Sequence, residues 1–235
     1  MPFGFYIIMA AQFFSALADN ALLIAAIAAL REMQAPSEYE PLLKTFFTVS
    51  YVLLAAFVGA FADSMPKWRV MFISNSIKIV GCAMMFFMVH PLIAYAVVGL
   101  GAAAYSPAKY GILTEYLPPR LLVVANGWIE GLTVGAIILG VVLGGTLIKP
   151  EIAQSLLAFD FPAVDTGIDT VGEMVIGIVG ILYIVAAIFN LYVPETGVDH
   201  KPLKKNPWYL IHEFNHCLVL LWRDKLGQIS LATTT

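Results

Sequence analysis

The sequence predicts an all-α polytopic membrane protein, and three observations carry that prediction. Of 235 residues, 60% are apolar and only 12% are charged, and the mean hydropathy is +0.84. A water-soluble domain has about a quarter charged and about half apolar residues, so this chain lacks the polar surface that water requires. The apolar residues gather into six runs, each near the roughly 20 residues that cross a bilayer as a helix. The bases gather in the connections between runs, on alternate sides. The 13 basic against 16 acidic residues give a net charge of −3, with no basic patch for a phosphate backbone, which excludes nucleic-acid binding as a main function. Cys82 and Cys217 are too few and too far apart for a disulfide framework or a cysteine-rich metal site.

The first run, Phe3–Leu30, is too long for a secretory signal, and a loop containing Pro36 and Pro41 leads to a second span, so it is expected to remain in the mature protein. The others are Thr45–Ala62, Val70–Val89, Leu92–Ile112, Leu122–Ile148 and Val171–Val193. Residues 1–193 therefore read as a six-helix bundle. With the N-terminus inside, the inner connections hold eight bases (Lys67, Arg69, Arg120, Lys201, Lys204, Lys205, Arg223 and Lys225) against three outside, Arg31, Lys44 and Lys149. The positive-inside rule then predicts both ends in the cytoplasm. The outer segment after Lys149 carries Glu151, Asp160, Asp165 and Asp169, in keeping with that orientation.

Residues 194–225 read as a cytoplasmic linker with Pro202, Pro207 and the Lys204/Lys205 pair. Its later part, Trp208 to Trp222, has apolar residues at helical spacing and is expected to lie along the membrane surface. Residues 226–235 turn apolar again and read as the truncated start of a seventh helix.

An ionisable group in hydrocarbon costs several kcal/mol unless it faces a partner or a wet cavity, which makes each one a functional candidate. Four stand out: Asp19, Lys78, Lys109 and Glu130. Asp19 sits near the middle of the first span, where a short carboxylate cannot reach the interface, and Asn20 beside it adds donors and an acceptor. Its two readings are a substrate contact and a buried structural hydrogen bond. Lys109 follows Pro107 near the inner end of the fourth span, where it either meets a substrate or snorkels to the headgroups. Lys78 and Glu130 lie eight to ten residues in from the same side, a common depth of roughly 12–15 Å at 1.5 Å per residue. They are expected to form an ion pair, with a central cavity as the alternative for Glu130. Gly131, Gly135, Gly140, Gly144 and Gly145 give the fifth span small-xxx-small spacings for close helix packing.

One pattern points to enzymology. His212-Glu213-Phe214-Asn215-His216 matches H-E-x-x-H, which on a helix sets two imidazoles on one face for zinc with the glutamate as base. Only Asp224 follows as a possible third ligand, so chance occurrence in a headgroup-level helix is preferred and a membrane zinc metalloprotease is the remote alternative. No cofactor is expected.

Between the second and third spans, Gly59-Ala60-Phe61-Ala62-Asp63-Ser64-Met65-Pro66-Lys67-Trp68-Arg69 resembles the G-x-x-x-D-x-x-G-[RK]-[KR] loop of the major facilitator superfamily. Pro66 replaces the second glycine and Trp68 interrupts the basic pair. The resemblance implies a chain that is the six-helix N-terminal half of such a transporter, with Gly59, Asp63, Lys67 and Arg69 as gating residues. That fold places a site between two six-helix halves, so a C-terminal six-helix half is the implied missing partner.

Three further segments are similar to the bacterial lysophospholipid transporter family: Ala11 to Leu23 with the Asp19-Asn20 pair, Gly101 to Gly111 (GAAAYSPAKYG), and Ala125-Asn126-Gly127-Trp128-Ile129-Glu130. That resemblance implies flipping of lysophosphatidylethanolamine and related lysolipids from the outer to the inner leaflet of the bacterial inner membrane. It also implies coupling to a cytoplasmic acyltransferase and acyl-carrier-protein synthetase that restore the second chain. Under it, Asp19 with Asn20 holds the ammonium group or a cation of the other half, Lys109 engages phosphate, and Glu130 adjusts the cavity charge. The alternative on the same scaffold is a proton-coupled exporter of drugs or small solutes, supported by the buried acids and by Gly140-x-x-x-Gly144-Gly145.

Overall fold

The computed structural model describes residues 1–157, 170–198 and 207–234. Lys201, Pro202, Lys204, Lys205, Asp160, Asp165 and Asp169 lie outside the described residues. The helices are α1 (Phe3–Glu32), α2 (Tyr39–Asp63), α3 (Lys67–Phe86), α4 (Pro91–Tyr116), α5 (Pro119–Leu147), α6 (Pro150–Leu157), α7 (Val171–Leu191), α8 (Pro207–Arg223) and α9 (Lys225–Thr234). Six of them, α1 to α5 and α7, are long and apolar enough to cross a membrane. Every expected run is one of these six. The short α6 was not foreseen, because eight residues are too few for an apolar period to register.

Local chemistry sets the helix ends. Proline, whose fixed φ suits the first turn and whose missing N–H costs nothing there, opens α4, α5, α6 and α8. Thr170 and Glu173 close a reciprocal cap on α7: Thr170 Oγ1 accepts from Glu173 N–H at 3.1 Å while Thr170 N–H donates to Glu173 Oε2 at 3.0 Å. After α1 and α3 the chain reverses through left-handed residues, Gln34 (φ 53°) and Met88 (φ 62°). Ala35 N–H then bonds Leu30 O at 3.0 Å and Val89 N–H bonds Met84 O at 2.9 Å, giving the helix ends partners for their last carbonyls.

The spans form a curved row. α1 packs between α5 and α7, α3 between α7 and α4, and α2 lies against α4. Across the open side, α2 touches α1 and α5 touches α4 only marginally. Burial follows this order: the most apolar stretch of α4 is 67% buried, whereas those of α2 and α5 are 11% and 22%. Glycines permit the tight contacts. A Cβ on Gly140 would lie 2.5 Å from Leu17 O, and one on Gly144 3.0 Å from Ala21 O, so α5 meets the α1 backbone through these two positions. A Cβ on Gly131, Gly135 or Gly145 would meet nothing within 4 Å; the packing role expected of all five belongs to two.

Two large apolar clusters, with a small third of Ala16, Leu17 and Ala136, fill the interior. One joins Leu22, Leu30, Val98, Val179 and Tyr183; the other joins Phe5, Ile8, Met71, Ile112 and Leu113. Between the α1 residues that feed these clusters come Gln12 and Ser15, both buried. The charged centre of the molecule occupies this interval.

Candidate functional site: a charged cavity between α1, α2 and α4

Asp19 and Lys78 form the centre. α1 carries Asp19 and α3 carries Lys78, and Lys78 Nζ lies 2.7 Å from Asp19 Oδ2, with the lysine side chain 2% and the aspartate side chain 16% exposed. Lys78 Nζ also donates to Ser15 Oγ at 2.9 Å, and Ser15 Oγ donates in turn to Asn75 Oδ1 at 2.8 Å. Tyr183 of α7 donates its hydroxyl to Asp19 Oδ1 at 2.8 Å. Tyr95 of α4 donates to the Asp19 carbonyl at 3.2 Å. The rings of Tyr105 and Tyr183 flank the ammonium at 5.3 and 5.9 Å from their centroids, within range of cation–π attraction. A buried pair survives desolvation only when further hydrogen bonds satisfy both ions, and Ser15 of α1 and Tyr183 of α7 supply them here.

This arrangement corrects the expectation that Lys78 pairs with Glu130. Equal depth on two spans is not adjacency: α1 stands between α5 and the α3–α7 side of the row, and Asp19 intercepts Lys78. Glu130 pairs instead with Lys109, whose Nζ lies 3.6 Å from Glu130 Oε1. Tyr110 donates to the same oxygen at 2.6 Å. Asn20 does not support the Asp19 carboxylate either; its Nδ2 donates to Ala16 O one turn back, at 2.8 Å.

A cavity of about 270 Å³ opens beside this centre, lined by Asp19 and Asn20 of α1, Lys44 and Tyr51 of α2, Lys78 of α3, Lys109 of α4 and Thr133 of α5, among others. Gln12 Nε2 donates to Thr133 Oγ1 at 3.0 Å across the α1–α5 seam of the same cavity. Its apolar wall includes Ala16, Leu23, Phe47 and Ile137. Of the four residues expected to contact a ligand, Asp19, Asn20 and Lys109 line this space. Glu130, its side chain 53% exposed, sits behind Lys109 and outside the lining. Such a space can hold a molecule with one apolar end and a charged head: the carboxylate oxygens each keep a lone pair beyond their present donors, and Lys109 offers donors toward the cavity.

Of the residues expected to gate, Asp63 and Lys67 form a second cluster at the C-terminal end of α2. Lys67 is its hub. The ammonium, on a side chain 4% exposed, lies 2.7 Å from Asp63 Oδ1 and 3.4 Å from Glu115 Oε1, and donates to Ala62 O at 2.8 Å. Thr196 Oγ1 donates to Glu115 Oε2 at 2.8 Å, and Trp68 Nε1 donates to Glu195 Oε1 at 3.0 Å, which ties the segment after α7 to the α2–α3 turn. Gly111 makes room for the lysine, since a Cβ there would lie 3.0 Å from Lys67 Cε. Arg69 is exposed and its guanidinium lies 5.1 Å from the Trp68 ring centroid. Gly59 sits on an exposed face of α2 with nothing near its Cβ position. Glu115, Thr196 and Glu195 were not foreseen, because nothing in their local sequence distinguishes them from ordinary interfacial polar residues. Tyr95, Tyr105 and Tyr183 did leave a signal: a phenol inside an apolar span needs a partner for its hydroxyl.

His212 and His216 lie on exposed turns of α8. Asp224 spends a carboxylate oxygen on Gly227 N–H at 3.1 Å, at the start of α9. Among the described residues no group of three His, Cys, Asp or Glu side chains is placed to hold a metal ion.

Known proteins are similar to this sequence. The "Lysophospholipid transporter LplT" of Yersinia enterocolitica is 37% identical over 232 residues, 99% of this chain and 52% of the relative. The protein of the same name from Serratia proteamaculans is 37% identical over 228 residues, 97% of this chain and 52% of the relative. The chain spans about half the length of the curated relatives it matches. The profile of the Major Facilitator Superfamily matches residues 8–232, from the first turns of α1 into α9. This chain belongs to the Major Facilitator Superfamily.

Proposed function

We propose that this chain supplies the six-helix half of a transporter that moves lysophospholipids, lysophosphatidylethanolamine among them, from the outer to the inner leaflet of the bacterial inner membrane. The observation that carries the proposal is the cavity, where Asp19, Lys78 and Lys109 stand beside an apolar wall. A lysolipid is one acyl chain on a phosphate head, and it needs both surfaces at once. The names of the relatives support the same substrate class. Asp19 and Lys109 are the substrate contacts, with Asn20 at the rim and Glu130 setting the charge of Lys109 from behind. Gly59, Asp63, Lys67 and Arg69, with Glu115, form the cytoplasmic latch, and both ends of the described chain lie in the cytoplasm. The partner is a second six-helix half facing the open side between α2 and α5. Re-acylation by a cytoplasmic acyltransferase and acyl-carrier-protein synthetase follows transport; the chain itself is not an enzyme.

The test is uptake of labelled lysophosphatidylethanolamine by spheroplasts lacking their own transporter, comparing this 235-residue chain with the longest in-frame extension of its gene. Uptake by either product supports the proposal. Absence of uptake by both, with both inserted in the membrane, overturns it and leaves the proton-coupled exporter, which collapse of the proton gradient would expose.

A further inference from the structure

Lys44 counts as a loop base by sequence position. In the structure it lies in the second turn of α2 and lines the charged cavity. Among the described residues no carboxylate lies within 4.0 Å of it, whereas Lys78 and Lys109 each have one and Lys67 has two. Lys44 is exposed at the cavity mouth, and among the described residues its ammonium is the cavity cation without a counter-ion.

Its place along the cavity follows from the α2–α4 crossing. Ser50 Oγ donates to Ala96 O at 3.0 Å, and a Cβ on Gly99 would lie 2.8 Å from Phe47 O. Lys44 is therefore about one turn beyond this crossing, toward the N-terminal ends of both helices. Lys109 lies 10 residues past Gly99 in the other direction, which puts the two Cα positions roughly 20 Å apart along the helices at 1.5 Å per residue. Lys78 comes between them: a Cβ on Gly101 would lie 2.7 Å from Lys78 Cγ. From one end to the other the cavity presents an unpaired cation, a neutralised ion pair, and a second cation that shares its charge with a half-exposed glutamate. Near Lys109, Tyr105 keeps its side-chain hydroxyl without a partner although the residue is only 4% exposed. A buried hydroxyl in that state is a donor held for a ligand or water.

We infer that the cavity has two phosphate stations, with Lys44 forming the first at the α2 N-terminal end and Lys109 and Tyr105 forming the second. The inference rests on the proposed lysolipid function and adds a specificity residue to it. Lys44 reads the phosphate itself, since an ammonium is a compact point charge that needs no particular headgroup beyond the anion. The Asp19–Lys78 pair between the stations adds no net charge, so a phosphate passing it meets neither a trap nor a repulsive field. Attraction through the open end of a low-dielectric cleft is steep in ionic strength.

The experiment measures binding in nanodiscs of uncharged lipid, by energy transfer from the tryptophans of the full 235-residue chain to a dansylated acyl chain. The two probes are lysophosphatidylethanolamine and the monoacylglycerol with the same labelled chain. The wild type is expected to prefer the phosphate lipid, and Lys44→Gln to weaken binding of that lipid by about 5–10-fold, the tenfold end corresponding to about 1.4 kcal/mol, without changing the monoacylglycerol. Lys44→Arg should keep the preference, and raising salt should weaken the wild type more than Lys44→Gln. An unchanged phosphate preference in Lys44→Gln overturns the first station while leaving the proposed function standing. Equal binding of both probes by the wild type, or binding of neither, overturns the lysolipid reading and the station with it.

Discussion

Lys78 Nζ and Asp19 Oδ2 stand 2.7 Å apart in the middle of the bundle, and Tyr183 closes on the other carboxylate oxygen at 2.8 Å. The pair joins α1, α3 and α7 at the depth where their apolar clusters part. Its two members fail unequally when one is removed. Lys78→Met strips the counter-ion from a carboxylate that is mostly out of water, and loss of one partner of a buried pair costs about 3–5 kcal/mol. Replacing both, as in Asp19→Asn with Lys78→Met, removes the stranded charge. The double variant is therefore expected to melt at a higher Tm in detergent than Lys78→Met alone, as measured by thermal unfolding. A double variant less stable than the single one would show that the pair is not the source of the cost.

Gly140 and Gly131 differ in what a methyl group meets. Gly140→Ala drives a Cβ to within 2.5 Å of Leu17 O, whereas Gly131→Ala enters open space. Overpacking of a tight contact costs about 1–3 kcal/mol, so Gly140→Ala should lower Tm and Gly131→Ala should leave it unchanged or raise it slightly. Equal effects in a parallel melt would contradict the α1–α5 packing described here.

At the α2–α3 turn the lysine matters more than the aspartate. Lys67 is buried and serves Asp63, Glu115 and Ala62 O together, while the Asp63 side chain is 65% exposed. An exposed partner contributes about 0–1 kcal/mol. Lys67→Met is expected to loosen the segment after α7, read as faster proteolysis near Thr196, and Asp63→Asn to do so weakly. A larger effect from Asp63→Asn would reverse the hierarchy.

The H-E-x-x-H segment of α8 should be indifferent to metal. Its histidines are exposed and Asp224 is engaged with Gly227 N–H. Neither a chelator nor His212→Ala should change Tm, and stoichiometric zinc in the purified protein would contradict this.

The six spans were legible because each apolar run exceeds what any soluble element needs, whereas the prolines and the Thr170–Glu173 cap that set their ends lie just outside the apolar runs. That Asp19 and Lys109 face a cavity was legible from the cost of charge in hydrocarbon. Pairing was not. Depth can be read along one helix, but which helix stands beside which is set by packing, and the glycines at 140 and 144 that seat α5 on α1 look like their unpacked neighbours at 131 and 135. The same limit hid Glu115 from Lys67 and placed Lys44 in a loop instead of in the cavity.

Under the proposed function, Asp19 and Lys109 contact the lysolipid. The direct measurement is the initial rate of labelled lysophosphatidylethanolamine uptake in spheroplasts for Asp19→Asn and Lys109→Gln, made in the gene product that transports, with Arg120→Ala as the exposed control outside cavity and latch and membrane insertion checked for each. Asp19→Asn and Lys109→Gln are each expected to lose at least about tenfold in rate, one such factor being about 1.4 kcal/mol, and the control much less. Parental rates in both cavity variants would contradict those contacts.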